Sequence, residues 1–288
     1  MDEKLKIEIQ KMLESNPNDS IDELNKKIKI IVDNYNFTVQ DMFEGLSPET
    51  MSSLLYDEWG KNIISINPQK HDGNDIPIIK QIKFFIDIIK DTQEIKLTKI
   101  GNLPPAIVKE IYNQGFISDA SIESGIVRIT KETDVENIVT MRYLCQLAGL
   151  TRKMNNKIVL IKSAIKKISS NEFFNIIFET AFKKYNWAYR DGYQNDAVGQ
   201  FGSNYSLYLL NKYGDKWEED KFYARLYFKA FEKLKSEDRY ALSDEGYSRR
   251  TFNQIFRYFG FIEYENKRWD EGNIRATDLF KKYIKIEM

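Results

Sequence analysis

The residues whose types and spacing favour chemistry with another molecule are seven basic side chains between residues 137 and 171. No carboxylate falls in this stretch, and its cations are Arg142, Arg152, Lys153, Lys157, Lys162, Lys166 and Lys167. Guanidinium and ammonium groups at this density are typical of contacts with nucleic-acid phosphates. The alternative is a solvated face whose charge is neutralised in the folded protein by carboxylates of residues 1–60. A contiguous positive face would favour DNA, and neutralisation would favour a protein-interaction module.

The charge of the whole chain hides this basic region. The 288 residues include 43 Lys and Arg against 43 Asp and Glu, so the net charge is zero. A protein dedicated to binding polyanions usually has a basic domain, and a net charge of zero, taken alone, argues against such a protein. However, residues 1–60 carry six lysines and thirteen carboxylates, whereas residues 61–168 carry 17 basic and 11 acidic side chains. The middle of the chain is therefore basic.

The stretch GLTRKMNNKIVLIKSAIKKI, residues 149–168, must position most of these cations. Thr133 and Glu136 have the spacing of a capping box, which predicts a helix from there to Gly149. The β-branched KIVLI segment at 157–161 predicts a strand, and RKMNN before it has turn chemistry. We therefore expect an exposed hairpin from which Arg152, Lys153 and Lys157 project together, with Arg142 near by on the preceding helix.

A second segment, 248–284, repeats this order of features. Ser248 is predicted to cap a helix that Gly260 ends, and FIEY and IRAT are predicted hairpin strands around a polar tip. Both glycines should adopt a left-handed conformation. The order matches the second half of a winged helix-turn-helix, in which the helix before the hairpin enters the major groove and the hairpin tip contacts phosphate or the minor groove. Winged helices also serve as protein–protein modules.

The remaining sequence is predicted to be mainly helical. The signals are a turn at 16–19, a capping box of Ser20 and Glu23 leading a helix to about Asn34, Ser47-Pro48 at a further helix start, an apolar stripe within 76–91, and aromatic helices at about 171–188, 203–213 and 217–235. We expect a mainly α fold with two small β-hairpins in winged-helix-like units. The predicted regions are an acidic helical region 1–70, a basic winged-helix-like region 71–190, and an aromatic helical region 191–288 that ends in the second such unit.

Three short blocks carry a resemblance to a known group. GLSPETMSSLLY at 45–56, LTKIGNLPPAIVKEIY at 97–112 and the later LAGLTRKMNNKIVLI resemble segments of a family of uncharacterised bacterial proteins, some of them associated with plasmids or mobile elements. The resemblance covers about residues 40–168 and implies a shared fold, with no established activity to carry over. Relatives usually have histidine after the methionine of the first block, where this chain has Ser52.

The composition excludes several kinds of active site. One histidine, His71, and one cysteine, Cys145, cannot supply a Cys₄, Cys₂His₂ or His₃ zinc site. His71 falls in a polar loop sequence, and Cys145 falls on the expected buried face of a helix. No Walker A sequence and no GxGxxG after a strand is present, so we expect no cofactor and no metal. A single cysteine, no secretory signal and no membrane-spanning run together predict a cytoplasmic protein.

One enzymatic alternative remains open. Glu94-Ile95-Lys96 resembles the Glu-x-Lys strand of metal-dependent nucleases, with Asp75 or Asp87 as the upstream carboxylate. The convincing helix pattern at 76–91 argues against it, because that fold would have a strand there. The aromatic residues near 186–194 and 225–234 could stack bases, although their helical spacing favours core packing.

The interpretation that follows is a non-enzymatic bacterial DNA-binding or regulatory protein of winged-helix type, with duplex DNA as partner and the basic stretch as contact surface. The first alternative is a protein–protein interaction module without nucleic-acid binding, whose aromatic C-terminal half meets a partner or a second copy. The nuclease-like enzyme is the third.

Overall fold

The computed structural model describes residues 3–56, 59, 63–238, 242–268 and 271–287, and the chain in these ranges is mainly α-helical. The helices are α1 Glu3–Ser15, α2 Ile21–Phe37, α3 Pro48–Tyr56, α4 Pro77–Thr92, α5 Pro105–Tyr112, α6 Ala120–Glu123, α7 Glu136–Leu147, α8 Ala164–Ile168, α9 Phe173–Glu179, α10 Ser203–Tyr213, α11 Asp220–Ala230, α12 Ser243–Ser248 and α13 Asp278–Tyr283. The strands are β1 Ile64–Ile66, β2 Ile95–Lys96, β3 Thr151–Met154, β4 Lys157–Leu160, β5 Glu218–Glu219, β6 Ile262–Arg268, β7 Glu271–Ala276 and β8 Ile284–Ile286. The predicted fold class, mainly α with small hairpins, is confirmed.

The N-terminal helices begin where their capping residues predict. The Ser20 hydroxyl accepts a hydrogen bond from the backbone N–H of Glu23, and the Glu23 carboxylate accepts one from the N–H of Ser20, so the capping box is complete. The helix α2 continues to Phe37, three residues past the predicted end. Ser47 accepts from the N–H of Thr50 at 3.1 Å at the start of α3.

The first three-stranded sheet joins β2, β4 and β3 in that order, with all neighbours antiparallel. The helix α4 packs its apolar stripe beneath it, and the predicted core positions Ile78, Ile79, Ile82, Phe85, Ile86 and Ile89 are all fully buried. The helix α7 begins at Glu136 with Val135 as its N-cap residue, so the predicted capping by Thr133 is wrong. The reason is local: residues 132–134 form a 3₁₀ turn, in which the carboxylate of Asp134 binds the N–H groups of residues 130 and 131.

The second three-stranded sheet joins β5, β7 and β6, also antiparallel. The helix that precedes its hairpin starts at Ser243 and runs without interruption into a π-helical segment, Arg249–Phe256. Ser248 therefore lies inside the helical run and is buried, and its predicted capping role is wrong. The tip residues 269 and 270 lie outside the described residues.

The two sheets belong to units with the same order of elements. Apart from the four-residue α6, which lies between α5 and α7, the first unit runs α4, β2, α5, α7, β3, β4, and the second runs α10, β5, α11, α12, β6, β7. In each, the last strand lies between the other two. Gly149 and Gly260 have φ values of +66° and +68°, so the predicted left-handed conformation at the corresponding helix ends is confirmed.

Aromatic side chains fill the centre of the protein. Trp187, Tyr205, Tyr223, Tyr227 and Tyr247 are completely buried, as the helical spacing of the aromatic residues predicted. The predicted helix 171–188 is shorter, because α9 gives way to a π-helical segment, Thr180–Lys184, before the chain leaves the helix. The two units share one continuous hydrophobic core. None of the helices in the described part of the chain is long and apolar enough to cross a membrane.

A two-stranded sheet ties the early part of the chain to its last strand. In this sheet β1 pairs antiparallel with β8, and Ile64 lies opposite Ile286. The loop that follows β1 is also bonded to the chain just before β8, because the N–H of Asn67 donates a hydrogen bond to the carbonyl of Tyr283 at 2.6 Å.

Candidate nucleic-acid interface

The hairpin of β3 and β4 is closed by a two-residue turn. Asn155 and Asn156 both have positive φ, 50° and 59°, which is the geometry of a type I′ turn that asparagine tolerates well. The side-chain amide of Asn156 donates to the carbonyls of Leu97 and Thr98 at 3.1 and 3.2 Å, and the N–H of Leu97 donates back to the carbonyl of Asn156. The tip is therefore fixed against the loop that follows β2.

The pairing register gathers cations on the outer face of this sheet. Lys157 lies opposite Met154 on one side and Lys96 on the other, and Arg152 lies opposite Val159. Because directly paired residues share a face, Lys96, Arg152 and Lys157 project together. Lys153 lies opposite the buried Ile158 and so starts from the other face, but it is exposed at the edge strand β3, and Lys99 lies on the loop beside the tip. We call this set the basic hairpin surface; its members are Lys96, Lys99, Arg152, Lys153 and Lys157.

The cations of the basic hairpin surface face solvent with almost no neutralisation. Lys157 is half-buried, and the other four are exposed. Lys157 pairs with Glu94 at 2.6 Å, and within the described ranges this is the one ion pair that any of the five makes. Two carboxylates of the acidic residues 1–60 pair with lysines of the second unit instead. Asp41 pairs with Lys229, and Glu44 pairs with both Lys229 and Lys212. The neutralisation considered as an alternative is thus not found among the residues described.

Two of the seven predicted contact residues have structural roles instead. Arg142 is 8 % exposed, and its Nε donates to Glu132 at 2.5 Å, so its predicted place at an exposed contact surface is wrong. The partner Glu132 is fully buried and also accepts from the N–H of Leu103, which explains why the arginine is drawn inside. Lys167 is half-buried and donates to the carbonyl of Ala148 at 2.8 Å, at the end of α7.

The other predicted contact residues are at the surface. Arg152, Lys153 and Lys157 lie on the hairpin as expected, and Lys162 and Lys166 are exposed after the end of β4 that is far from the tip. Lys96 and Lys99 were not among the predicted contacts. A signal existed in the sequence, because the EIKLT segment at 94–98 precedes the hairpin and alternates Lys96 with Ile95 and Leu97, which are buried.

The helix before the hairpin is not available to a groove of DNA. Within α7 the residues from Asn137 to Arg142 are all buried, and Leu147 alone is exposed. The N-terminal end of α7 contacts the π-helical segment Arg249–Phe256. There the Glu136 carboxylate accepts hydrogen bonds from Arg249 at 2.9 Å and from Gln254 at 2.7 Å. The two helices that precede the two hairpins therefore contact each other through these polar side chains.

The second hairpin has a different charge. Glu263 lies opposite Arg275, and Glu265 and Glu219 lie opposite Asn273 on either side, so these side chains share one face. Arg275 pairs with Glu263 at 2.6 Å and lies over the ring of Trp217. This face is acidic, and the two units are not equivalent as phosphate-binding surfaces.

The residues considered for catalysis are held apart. Cys145 is fully buried, and burial raises the pKa of its thiol far above the ordinary value, so it has little nucleophilic character. Asp75 binds Lys282 and Tyr283, Asp87 pairs with Lys90, and Glu94 pairs with Lys157. Among the described residues no group of three or more His, Cys, Asp and Glu side chains could hold a metal ion.

Comparisons with protein-family models, with curated proteins and with solved structures give no match. The resemblance of the LSPETMSSLLY and GNLPPAIVKEIY blocks to a bacterial family therefore stays a prediction.

Proposed function

We propose that this protein is a non-enzymatic duplex-DNA-binding protein of tandem winged-helix type that grips the phosphate backbone with the basic hairpin surface. The observation that carries the proposal is the set of five cations on and beside one anchored hairpin, of which one is ion-paired within the described residues. Such a surface attracts polyanions and releases their counterions on binding.

The order of elements supports the winged-helix part of the proposal. Each unit has helix, strand, helix, helix and hairpin, with the last strand central in the sheet. A winged helix has this order, and its hairpin is the wing. The charge difference between the hairpins supports DNA contact by the first wing rather than the second.

The burial of α7 sets the kind of recognition. Base sequence is read by side chains that enter a groove, whereas phosphate contacts carry no sequence information. With α7 buried, the first unit offers only its wing. We therefore expect affinity that depends on salt and not on base sequence.

The test is binding of random duplex DNA across a salt series that starts near 50 mM. Each phosphate contact lowers the slope of log K against log salt by roughly 0.9, so the triple variant Arg152→Ala, Lys153→Ala, Lys157→Ala should flatten it by about two to three units. The matched control removes three exposed lysines that lie on α1 and α2, in the variant Lys11→Ala, Lys26→Ala, Lys29→Ala. The control should keep the slope of the unmodified protein.

Two results would refute the proposal. One is no salt-dependent affinity of the unmodified protein at low ionic strength, and the other is equal flattening by both triple variants. The second would show that total charge matters and the position of the wing does not.

A protein-interaction role is the second candidate, and a specific observation favours it. No residue of α2 is buried, and large apolar side chains stand in solvent along this part of the chain, among them Ile21 at 77 % and Phe37 at 70 % exposure. Exposed apolar groups in this number are typical of a surface that a partner covers. The C-terminal aromatic residues, which the sequence suggested for this role, are largely buried in the core. If the unmodified protein shows no DNA affinity in the salt series, the protein-interaction role becomes the first candidate.

A further inference from the structure

Two exposed apolar side chains lie among the cations of the basic hairpin surface. Ile100 is 78 % exposed and Met154 is 46 % exposed. Ile100 follows Lys99 in the sequence, and Met154 lies opposite Lys157 in the hairpin register. Single apolar residues scattered over a protein surface are common. Here two of them share one surface with its cations, so a polyanion held by those cations comes close to both.

The two side chains lie on a pair of turns that are bonded to each other. A hydrogen bond of 2.9 Å from the N–H of Gly101 to the carbonyl of Thr98 closes a tight turn, and Ile100 is one of its two central residues. The side-chain amide of Asn156 donates to the same carbonyl and so ties this turn to the hairpin turn that follows Met154. Because this backbone is already ordered, little conformational entropy is lost when the tip meets a partner.

The fold gives no reason for an isoleucine at position 100. The residues that favour turns are glycine, proline, asparagine, aspartate and serine, and a side chain in solvent adds nothing to the core. Burial of apolar surface is favourable, so the isoleucine contributes when a partner covers it. The partner must be anionic, because the basic hairpin surface lies beside the turn.

Duplex DNA fits these requirements better than an anionic membrane does. Proteins that bind the minor groove often insert an isoleucine, leucine, phenylalanine or methionine between two base pairs, and one such side chain unstacks one step. A membrane requires more apolar surface, since even a complete myristoyl chain gives only marginal binding. Two side chains of this size bury less than that chain.

We propose that Ile100 is a wedge that enters the minor groove and partly unstacks one base step, so that the protein bends the duplex that it holds. This role depends on the proposed DNA binding and adds a deformation of the DNA to it. Met154 provides a second apolar contact. The bent duplex brings more of its backbone to the protein, which offsets the cost of unstacking. A wedge makes no base-specific hydrogen bond, so the bend requires no particular base sequence.

The experiment measures fluorescence energy transfer between dyes at the two ends of a random duplex of roughly 20–30 base pairs, saturated with the full chain at low salt. A kink of about 20–90° shortens the distance between the ends and raises the transfer. Ile100→Ala should lose most of this rise and keep the salt slope of the unmodified protein, because every cation remains. The matched control is Ile21→Ala, which removes an isoleucine that is 77 % exposed on α2 and should leave the bend unchanged.

A second variant, Ile100→Lys, separates the wedge from charge. It adds a cation beside the basic hairpin surface, so DNA affinity should be kept or raised while the bend is lost. A duplex with one mismatched pair gives a second measurement. The mismatch lowers the cost of unstacking, so the unmodified protein should bind this duplex several-fold more tightly than the matched one, and Ile100→Ala should lose the preference.

The outcomes separate the wedge from DNA binding itself. Salt-dependent binding without a bend, or a bend that Ile100→Ala and Ile100→Lys leave unchanged, would overturn the wedge and leave the proposed DNA binding standing. An unchanged bend would come from neutralisation of phosphates on one side of the duplex. Absence of any DNA binding would overturn both. Binding to vesicles of phosphatidylserine and phosphatidylcholine that Ile100→Ala abolishes, with no bending of DNA, would show a membrane contact and overturn the wedge as well.

Discussion

Replacing Gly260 by alanine should destabilise the protein more than replacing Gly149, although both glycines have nearly the same φ. A left-handed backbone costs an alanine about 1–2 kcal/mol, and this cost applies at both positions. The surroundings differ. A Cβ at Gly149 would come 3.1 Å from the Nζ of Lys167, which is the far end of a flexible side chain.

A Cβ at Gly260 would instead come 2.9 Å from the Cδ of Pro77 and 3.0 Å from a methyl group of Leu279. Pro77 is the first residue of α4, and its ring cannot rotate away. Overpacking of this kind typically costs a further 1–3 kcal/mol. We therefore expect a loss of about 1–2 kcal/mol for Gly149→Ala and about 2–5 kcal/mol for Gly260→Ala.

Urea unfolding followed by circular dichroism measures these losses, and Gly115→Ala isolates the backbone cost. Gly115 has a φ of +68°, and a Cβ there would meet no atom within 4 Å. Its loss should resemble that of Gly149→Ala. Equal losses at all three positions would refute the argument, because they would show that the region around Pro77 yields without cost.

Two further predictions concern ion pairs. Arg250→Met should lower the free energy of unfolding in urea by about 3–5 kcal/mol. The side chains of Arg250 and Asp191 are 0 % and 1 % exposed, so the variant leaves the carboxylate buried without its cation. A loss of stability below about 1 kcal/mol would contradict this. Burial raises the pKa of Asp75, but hydrogen bonds from Lys282 and Tyr283 outweigh it, so its pKa is lowered. Its contribution to stability is present above the unfolded value of about 3.9 and is lost as the pH falls through the folded value. Thermal midpoints of the unmodified protein and Asp75→Asn should therefore differ at pH 6 and converge near pH 2–3; a constant difference would contradict the assignment.

The elements that the sequence predicted best are those whose signals are local. The capping box of Ser20 and Glu23 and the apolar stripe of α4 each lie within one helix, and both are found as predicted. The strands β1, β5 and β8 have two or three residues each and were not predicted. Strands this short give no periodic pattern, and their existence depends on partners far away in the sequence.

The candidate site was predicted in part for the same reason. The turn chemistry of Asn155 and Asn156 identified the hairpin, and Arg152 and Lys157 share a face as predicted, whereas Lys153 lies on the other face. The burial of Arg142 depends on Glu132, whose carboxylate is itself buried by the fold. The enclosure of α7 had a signal, because Glu136 and Arg142 are its only charged residues, and a helix with so few is usually buried on all sides.

The pairing of β1 with β8 has a consequence for how the chain folds during synthesis. Ile64 leaves the ribosome early, but its strand partner Ile286 is made only after both units have been translated. Contacts this distant in sequence close a long loop and form slowly. The edge of β1, including Ile64, which is buried in the folded protein, therefore stays uncovered until late in translation. We expect ribosome-bound chains that end before residue 284 to hold a folded first unit with this edge exposed, and to depend on chaperones more than the completed chain does.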